Sequence, residues 1–341
     1  MDSTLHISDY LPIKGKSLCS IGNRWHHNFG DELILIGLIK LLLGGKRDEI
    51  AIQKLYISWG DLQFLSSFHQ YFFTKHQLQS VSYIQEIPHG IRSGLRFVTR
   101  KLKDFFRYLA CDTFVIGWGE LFTEETPGSY LYRYWSLLPY RMRSIFAKTD
   151  LYVMWWMQSP KTWYNKMILR RIVRSSKQCF LRDEESVRVA QQFGWDAQWF
   201  IDTSYFVPHE DRKQQSTKKY IIVNTNPLSD KRTVELRSII HEYHVRDYDI
   251  YFLPAFFTSN SQQDDMLCYD ALHADFAYIM LLDWRDRELF VDVFQGAEKI
   301  FCSRLHVFLM SAFWGKDVQA YPYQKKITKN RLILEACWVL W

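Results

Sequence analysis

Short apolar runs and longer periodic segments alternate along the first part of the chain. The runs predict strands at Ser17–Ile21, 52–58, 81–87, Thr113–Gly117, 151–156 and 178–182. Between the first two runs, segment 31–43 carries apolar residues at helical spacing over a broad face, which predicts a helix. Near-continuous apolar strands that alternate with helices are typical of a parallel sheet covered on both faces.

A polar, charge-rich stretch, 207–219, separates this series from a second one and predicts an interdomain linker. The second series predicts strands at Tyr220–Asn224, 250–254, 277–282 and 299–303, and helices at 231–244, 261–273 and 306–314. We therefore predict an α/β protein with two Rossmann-like domains, 1–207 and 220–341. Such domains are expected to face a cleft at the carboxyl ends of their strands.

Composition narrows the classes of partner. The chain has 341 residues, 48% of them hydrophobic and 23% charged, as in globular proteins. The net charge of +6 suits an anionic ligand or a membrane surface, but it is too small to indicate nucleic acid, and we predict no nucleic-acid partner. The six cysteines form no CxxC pair, so neither a disulfide framework nor a metal site is predicted.

The sequence predicts a cytoplasmic protein. Residues 1–9 lack the apolar core of a signal peptide, and the apolar run 33–43 is too short to span a bilayer. Basic residues recur at helical spacing beside an apolar stripe through 92–109. This amphipathic helix either touches the inner face of the plasma membrane peripherally or packs on the sheet with solvated arginines.

Three strand–helix junctions carry the candidate chemistry. In the first, Gly22 and Asn23 are followed by Gly30 and Asp31, where a helix start presents backbone N–H groups and Asp31 is placed to cap it. This loop matches neither the GxGxxG pattern nor the Walker pattern of nucleotide-binding proteins.

The other two junctions each place an arginine at the end of a predicted strand. Arg182 precedes the acidic run 183–185, which favours a helix start. Arg304 and His306 flank Leu305 before the last predicted helix. A guanidinium binds carboxylate or phosphate through two parallel hydrogen bonds, and a histidine can donate a hydrogen bond or exchange a proton near neutral pH.

The set of junctions resembles the polysaccharide pyruvyl transferases, whose fold is similar to the B-type glycosyltransferase fold. The resemblance covers about residues 17 to 327. It rests on Gly22-Asn23, Phe29-Gly30-Asp31-Glu32, Arg182-Asp183-Glu184-Glu185-Ser186, Asp202, Asp264-Asp265, Arg304-Leu305-His306 and the segment 323–326.

The resemblance implies transfer of a pyruvyl unit from phosphoenolpyruvate to two hydroxyls of a sugar, which forms a cyclic ketal. The acceptor would be a cell-surface polysaccharide or exopolysaccharide, or its lipid-linked precursor. Phosphoenolpyruvate is the co-substrate, and no further cofactor is expected. Arg182, Arg304, Leu305 and Gly30 would bind the donor, with Arg182 across the cleft from Arg304, and Asp31 and His306 would act in catalysis. The C-terminal domain would be the donor-binding domain, and the N-terminal domain would lie on the acceptor side.

The remaining candidates are Asn23, Trp118, Glu120 and Lys326, on the acceptor side or in the cleft. The turn Gly117-Trp118-Gly119-Glu120 departs from the glycine-rich turn of the family. Trp118 could stack on a sugar ring, whereas Glu120 would repel an anionic donor. Two alternatives therefore stay open: a nucleotide-sugar glycosyltransferase of the same architecture, and a catalytically silent member of the family.

Overall fold

The computed structural model describes residues 13, 15–22, 28–43, 52–59, 72–73, 75–86, 101–117, 129–155, 160–207, 219–225, 230–257 and 264–320. The chain divides into two compact units. The first comprises Met1–Arg24, Leu38–Leu65 and Phe73–Asp202, and the second comprises Trp25–Gly37, Ser66–Phe72 and Thr203–Trp341. Most of the predicted linker, 208–218, lies outside the described residues, and the domain boundaries 1–207 and 220–341 stay predictions.

The first unit contains a seven-stranded parallel sheet in the order β3-β2-β1-β4-β5-β6-β7. Its strands are β1 Ser17–Ile21, β2 Lys54–Trp59, β3 Val81–Gln85, β4 Thr113–Gly117, β5 Asp150–Trp155, β6 Gln178–Leu181 and β7 Gln198–Trp199. The described helices of this part of the chain are α1 Phe29–Leu43, α2 Lys75–Ser80, α3 Leu102–Ala110, α4 Ser129–Ser136, α5 Leu138–Phe146, α6 Trp163–Ser175 and α7 Glu184–Gln192.

The second unit contains a five-stranded parallel sheet in the order β10-β9-β8-β11-β12. Its strands are β8 Tyr220–Asn224, β9 Asp249–Phe252, β10 Ile279–Leu281, β11 Lys299–Cys302 and β12 Val318–Ala320. Its described helices are a 3-10 turn Thr203–Phe206, α8 Asp230–Val245, α9 Asp265–Asp275, α10 Arg287–Gly296 and α11 Leu305–Phe313. Buried aliphatic and aromatic side chains from strands and helices fill a separate core in each unit.

The strand order of each sheet reverses once. In the first sheet the reversal lies between β1 and β4, and in the second it lies between β8 and β11. Open α/β sheets bind ligands outside the carboxyl ends of the two strands at such a reversal, because the connections there run to opposite faces and leave a crevice. The end of β11 is therefore a position where a site is expected.

The predicted strands and most of the predicted helices are confirmed, with shifted ends. The start of α1 differs from the prediction: it begins at Phe29, and the Asn28 side-chain oxygen accepts a hydrogen bond from the Gly30 amide at 3.0 Å. The expectation that Asp31 caps this helix is wrong, because Asp31 already lies within its first turn. Helix α9 begins at Asp265, later than predicted, after Asp264 caps the Met266 amide at 2.9 Å.

The predicted basic helix 92–109 is described only from residue 101 onward. Within α3, Phe105 and Tyr108 are buried, while Leu102 and Phe106 are about half exposed. Arg107 pairs with Asp104 at 2.9 Å. The described part therefore packs through one face, and membrane contact by this segment stays a prediction. Within the described ranges, no helix combines the length and the apolar character needed to cross a membrane.

Helix α1 is buried on nearly every side, as expected for a helix that is hydrophobic all round. Its backbone is in direct contact with the 3-10 turn: the Thr203 hydroxyl donates to the Ile34 carbonyl at 2.9 Å. A Cβ at Gly37 would lie 1.6 Å from the Thr203 carbonyl oxygen. Position 37 therefore requires glycine, because no side chain fits between the helix and the Thr203 carbonyl.

We expect Gly37→Ala to destabilise the protein by about 1–3 kcal/mol, because the added methyl group meets a backbone carbonyl that no rotamer change can move. An ordinary helical glycine shows the opposite sign, since alanine is favoured there by about 1 kcal/mol. Urea unfolding measures the change. Ser238→Ala on the exposed face of α8 is the control and should be neutral or stabilising. A stabilising Gly37→Ala would contradict the described packing.

Candidate functional site

The turn that follows β11 lies at the strand reversal of the second sheet. Asn224, the last residue of β8, holds this turn in place. Its buried side-chain amide donates to the Leu253 carbonyl at 2.8 Å, and its side-chain oxygen accepts from the Arg304 amide at 3.2 Å. The Asn224 carbonyl also accepts from the Ser303 amide at 3.0 Å. One asparagine thus fixes the ends of three adjacent strands, β9, β8 and β11.

Arg304 is oriented by the carboxylate of Asp265, the first residue of α9. The Arg304 Nε lies 3.2 and 3.3 Å from the two carboxylate oxygens, and the Nη2 donates a further short hydrogen bond. Asp265 is fully buried, whereas a quarter of the Arg304 side chain is exposed. The pair is therefore asymmetric: the carboxylate is enclosed, and the guanidinium reaches the surface.

Backbone groups also hold the Asp265 carboxylate. One of its oxygens accepts from the Ala255 amide at 2.9 Å, and the Asp265 amide donates to the Phe256 carbonyl at 3.1 Å. Burial raises the pKa of Asp265 above its ordinary value, while the Arg304 guanidinium and the backbone amides of Ala255 and Phe256 act in the opposite direction. Arg304 is thus the group that makes a charged Asp265 tolerable in this position.

The start of α1 packs on the same edge of the second sheet. Asn28 forms an antiparallel bridge with Phe256, and the Phe29 amide donates to the Ala255 carbonyl at 2.8 Å. The Phe29 ring contacts Trp284 and Phe290, with ring centroids 5.7 and 5.4 Å apart. An early segment of the chain therefore contributes to the candidate site of the second unit.

Gly30 brings the α1 backbone against the imidazole of His306. A Cβ at position 30 would lie 2.3 Å from the His306 Nδ1. His306 is in the first turn of α11, and the Arg304 side chain makes no capping hydrogen bond to this helix. The predicted residues Gly30, Arg304, Leu305 and His306 are therefore gathered at one place, with the half-buried Asp31 next in the chain. Their roles in binding and catalysis stay predictions.

Arg182 lies in the first unit, immediately after β6. Its Nη1 lies 3.3 Å from the carboxylate of buried Asp202. The following helix α7 is capped by Asp183, which accepts from the amide and the hydroxyl of Ser186, each at 2.8 Å. The start of α7 thus already carries a carboxylate, unlike that of α11. Binding of one donor molecule by both Arg182 and Arg304 stays a prediction.

Four predicted residues, Asn23, Trp118, Glu120 and Lys326, lie outside the described residues. Sequence reasoning missed the structural roles of Asn224, Asn28 and Asp265. A signal for Asn224 was present, because a polar residue directly ended a continuous apolar strand. In the part of the chain that the structure describes, no group of three or more histidine, cysteine or acidic side chains could hold a metal ion.

Solved structures define the class of fold. A UDP-N-acetylglucosamine 2-epimerase structure matches with a TM-score of 0.56 and 12% identity, over 92% of this chain and 81% of its own. A putative enzyme of that name from Listeria monocytogenes matches with a TM-score of 0.54 and 11% identity, over 90% of this chain and 78% of its own. A glycosyltransferase from Rickettsia africae matches with a TM-score of 0.53 and 9% identity, over 90% of this chain and 79% of its own. At these identities the matches show the fold alone: two Rossmann-like domains of the B-type glycosyltransferase class, as predicted.

The family model described as polysaccharide pyruvyl transferase matches residues 28–316. The chain therefore belongs to the polysaccharide pyruvyl transferase family, and it is a transferase of polysaccharide biosynthesis. The matched range contains Gly30, Arg182, Arg304 and His306. No protein of curated function matches the sequence significantly.

We expect Arg304→Gln to destabilise the protein by about 3–5 kcal/mol at neutral pH, because it leaves a buried carboxylate without its cation. The folded-state pKa of Asp265 is raised above the unfolded value, and removing Arg304 raises it further. The folded state then takes up a proton more readily than the unfolded state, so the loss should shrink as the pH falls from about 8 to about 5. Urea unfolding at several pH values in this range measures the loss in the free energy of unfolding.

The control for this measurement is the double variant Asp265→Asn, Arg304→Gln, which has no buried carboxylate. Its stability relative to Asp265→Asn should vary little with pH. A loss in Arg304→Gln that is equal at both ends of the pH range would show that Asp265 is not the responsible group.

We expect Gly30→Ala to lower stability by about 1–3 kcal/mol, because the imidazole of His306 has to move away from the new methyl group. Gly30 has no positive φ, so the backbone itself accepts alanine. The same substitution made together with His306→Ala should cost less than about 0.5 kcal/mol, which gives a double-mutant cycle. Equal costs in the two backgrounds would refute the contact between residue 30 and His306.

Proposed function

We propose that the protein transfers a pyruvyl unit from phosphoenolpyruvate to two hydroxyls of a glycan and forms a cyclic ketal. The observation that carries the proposal is the combination of Arg304 and His306 at the start of α11, at the strand reversal of the second sheet. Family membership supplies the class of reaction. An arginine and a histidine at a helix start support the choice of a small anionic donor.

We propose that two groups together bind an anion at this position. The N-terminus of α11 presents backbone N–H groups and the positive end of the helix dipole. Arg304 directly precedes the helix, and Asp265 holds the Nε and Nη2 edge of its guanidinium. Because this edge is fixed and a quarter of the side chain is exposed, the cation is oriented before a ligand arrives. We propose that Arg304 binds one anionic group of the donor, with Leu305 and Gly30 lining the position.

The reaction requires a proton at the methylene carbon of the donor. Its addition converts the methylene to a methyl group and places positive charge on the adjacent carbon, which a sugar hydroxyl then attacks. His306 is the proposed proton donor, because an imidazole can carry a proton near neutral pH. Asp31 follows the glycine that contacts the His306 ring, and it is the proposed acceptor of a hydroxyl proton.

A second hydroxyl of the same sugar completes the ketal by displacing phosphate from that carbon. The two hydroxyls lose two protons: one balances the proton added to the methylene carbon, and the other leaves with inorganic phosphate, which keeps the bridging oxygen. Negative charge grows on the departing phosphate, so a fixed guanidinium stabilises this step more than the ground state. The acceptor is proposed to be a cell-surface polysaccharide or its lipid-linked precursor.

The test measures phosphoenolpyruvate binding by calorimetry and glycan-dependent phosphate release by a colorimetric assay. His306→Gln keeps a hydrogen-bonding side chain but cannot deliver a proton of similar acidity. We expect it to lower turnover by about 100-fold or more while binding of phosphoenolpyruvate changes little. Arg304→Lys keeps the charge but loses the planar edge, so it should weaken binding as well as turnover.

Arg246→Lys is the matched control. Arg246 is an exposed arginine of the second unit that pairs with Glu242, and this change should alter neither quantity. Binding of UDP-sugars in place of phosphoenolpyruvate would favour a glycosyltransferase instead. Binding of phosphoenolpyruvate without turnover on any glycan tested would favour a catalytically silent protein.

A further inference from the structure

Helix α6 of the first unit has one face in the core and an unusual opposite face. Ile168, Leu169, Ile172 and Val173 are buried. Trp163, Met167, Arg170, Arg171 and Arg174 recur at helical spacing on the exposed side. Trp163 is 75% exposed and Met167 is 41% exposed, and the neighbouring Tyr164 ring packs edge-on to Trp163 at 6.3 Å. We call these six exposed residues, 163, 164, 167, 170, 171 and 174, the aromatic–basic face.

The arginines of this face extend onto neighbouring helices. The Arg141 guanidinium of α5 lies over the ring of Tyr134 in α4, 3.4 Å from the ring centroid. Arg171 of α6 is the second arginine whose charge acts on Tyr134. Burial alone would raise the pKa of Tyr134, but the two arginines outweigh it and lower the pKa. Two cations thus act on one tyrosine of α4, the helix that contacts both α5 and α6.

Acidic side chains are nearly absent from this region. Residues 129–177 include ten arginines and lysines but a single acid, Asp150, which pairs with Lys177 at 2.7 Å. Among the described residues, no carboxylate pairs with Arg170, Arg171 or Arg174. Further large apolar side chains of the same helices are exposed: Leu131, Ile145 and Phe146. Excess positive charge and exposed aromatic groups are therefore combined on one part of the first unit.

We propose that the aromatic–basic face rests on the surface of an anionic phospholipid bilayer. Interfacial helices place tryptophan, tyrosine and aliphatic side chains at the headgroup level and arginines on the lipid phosphates. A folded helix whose exposed side carries Trp163, Tyr164 and Met167 next to three arginines meets both requirements. The surface is distinct from the predicted basic segment 92–109, and it does not depend on which donor the protein uses.

The test is co-sedimentation of the full-length protein with vesicles. Vesicles that contain about 30% phosphatidylglycerol in phosphatidylcholine should bind the protein, and pure phosphatidylcholine vesicles should not, because each basic residue near an anionic surface adds to the attraction. High salt should release the protein, since screening weakens these charges. Failure of the unmodified protein to sediment with the anionic vesicles at low salt would overturn the proposal.

Two variants test the face itself. Replacing Arg170, Arg171 and Arg174 by glutamine should weaken binding by about tenfold or more, given the contribution of each basic residue. Trp163→Ala combined with Met167→Ala should weaken binding even at low salt, because it removes the apolar contact. All five side chains are exposed, so the fold should be unchanged by circular dichroism and thermal unfolding.

The matched control removes the same charge from exposed lysines of the same unit that lie outside the segment 92–109: Lys16→Gln, Lys54→Gln and Lys148→Gln. It should weaken binding by less than about threefold, since these lysines lie outside the proposed face. A control variant that loses as much binding as the arginine variant would overturn the proposal and favour a general charge attraction. Phosphoenolpyruvate turnover is not a readout, so failure here leaves the proposed reaction unaffected.

Discussion

The buried carboxylate of Asp265 is the constraint on which the candidate site depends. A fully enclosed charge is tolerated only when hydrogen bonds and a cation satisfy it, and here the cation is Arg304. The carboxylate draws together the loop after β9, the start of α9 and the turn after β11. Because Arg304 reaches the surface while its partner does not, the interaction that stabilises the unit also orients the group proposed to bind the donor.

Arg182 and Arg304 both lie at strand ends, but the helix starts that follow them differ in charge. Arg182 and Arg304 each follow a parallel strand, and each is held by a buried aspartate. After Arg182, Asp183 caps the helix and accepts the hydrogen bond of the Ser186 amide, one of the amides that an anion would use. After Arg304, the helix begins with Leu305 and His306, and its first turn carries no acidic residue. The local sequence after the arginine therefore gives the two strand ends different electrostatic surroundings.

Much of the fold could be predicted because strands such as Thr113–Gly117 and Tyr220–Asn224 are continuous apolar runs, and burial on both faces leaves no other pattern. The junction at Arg304 was found because a strand end followed by a helix start is visible locally. The pairing of Arg304 with Asp265 could not be predicted, because it joins residues that are 39 positions apart in the sequence. The cap at Asn28 was missed because Asp31 competes for the same role in sequence.

The packing of Phe29 has a consequence for biosynthesis. Its ring lies against Trp284 and Phe290, residues that the ribosome adds some 255 positions later. The apolar helix Phe29–Leu43 therefore emerges long before part of its binding surface exists. During translation this segment is a natural target for chaperones that hold exposed hydrophobic sequences, and the second unit can close only after nearly the whole chain has been made.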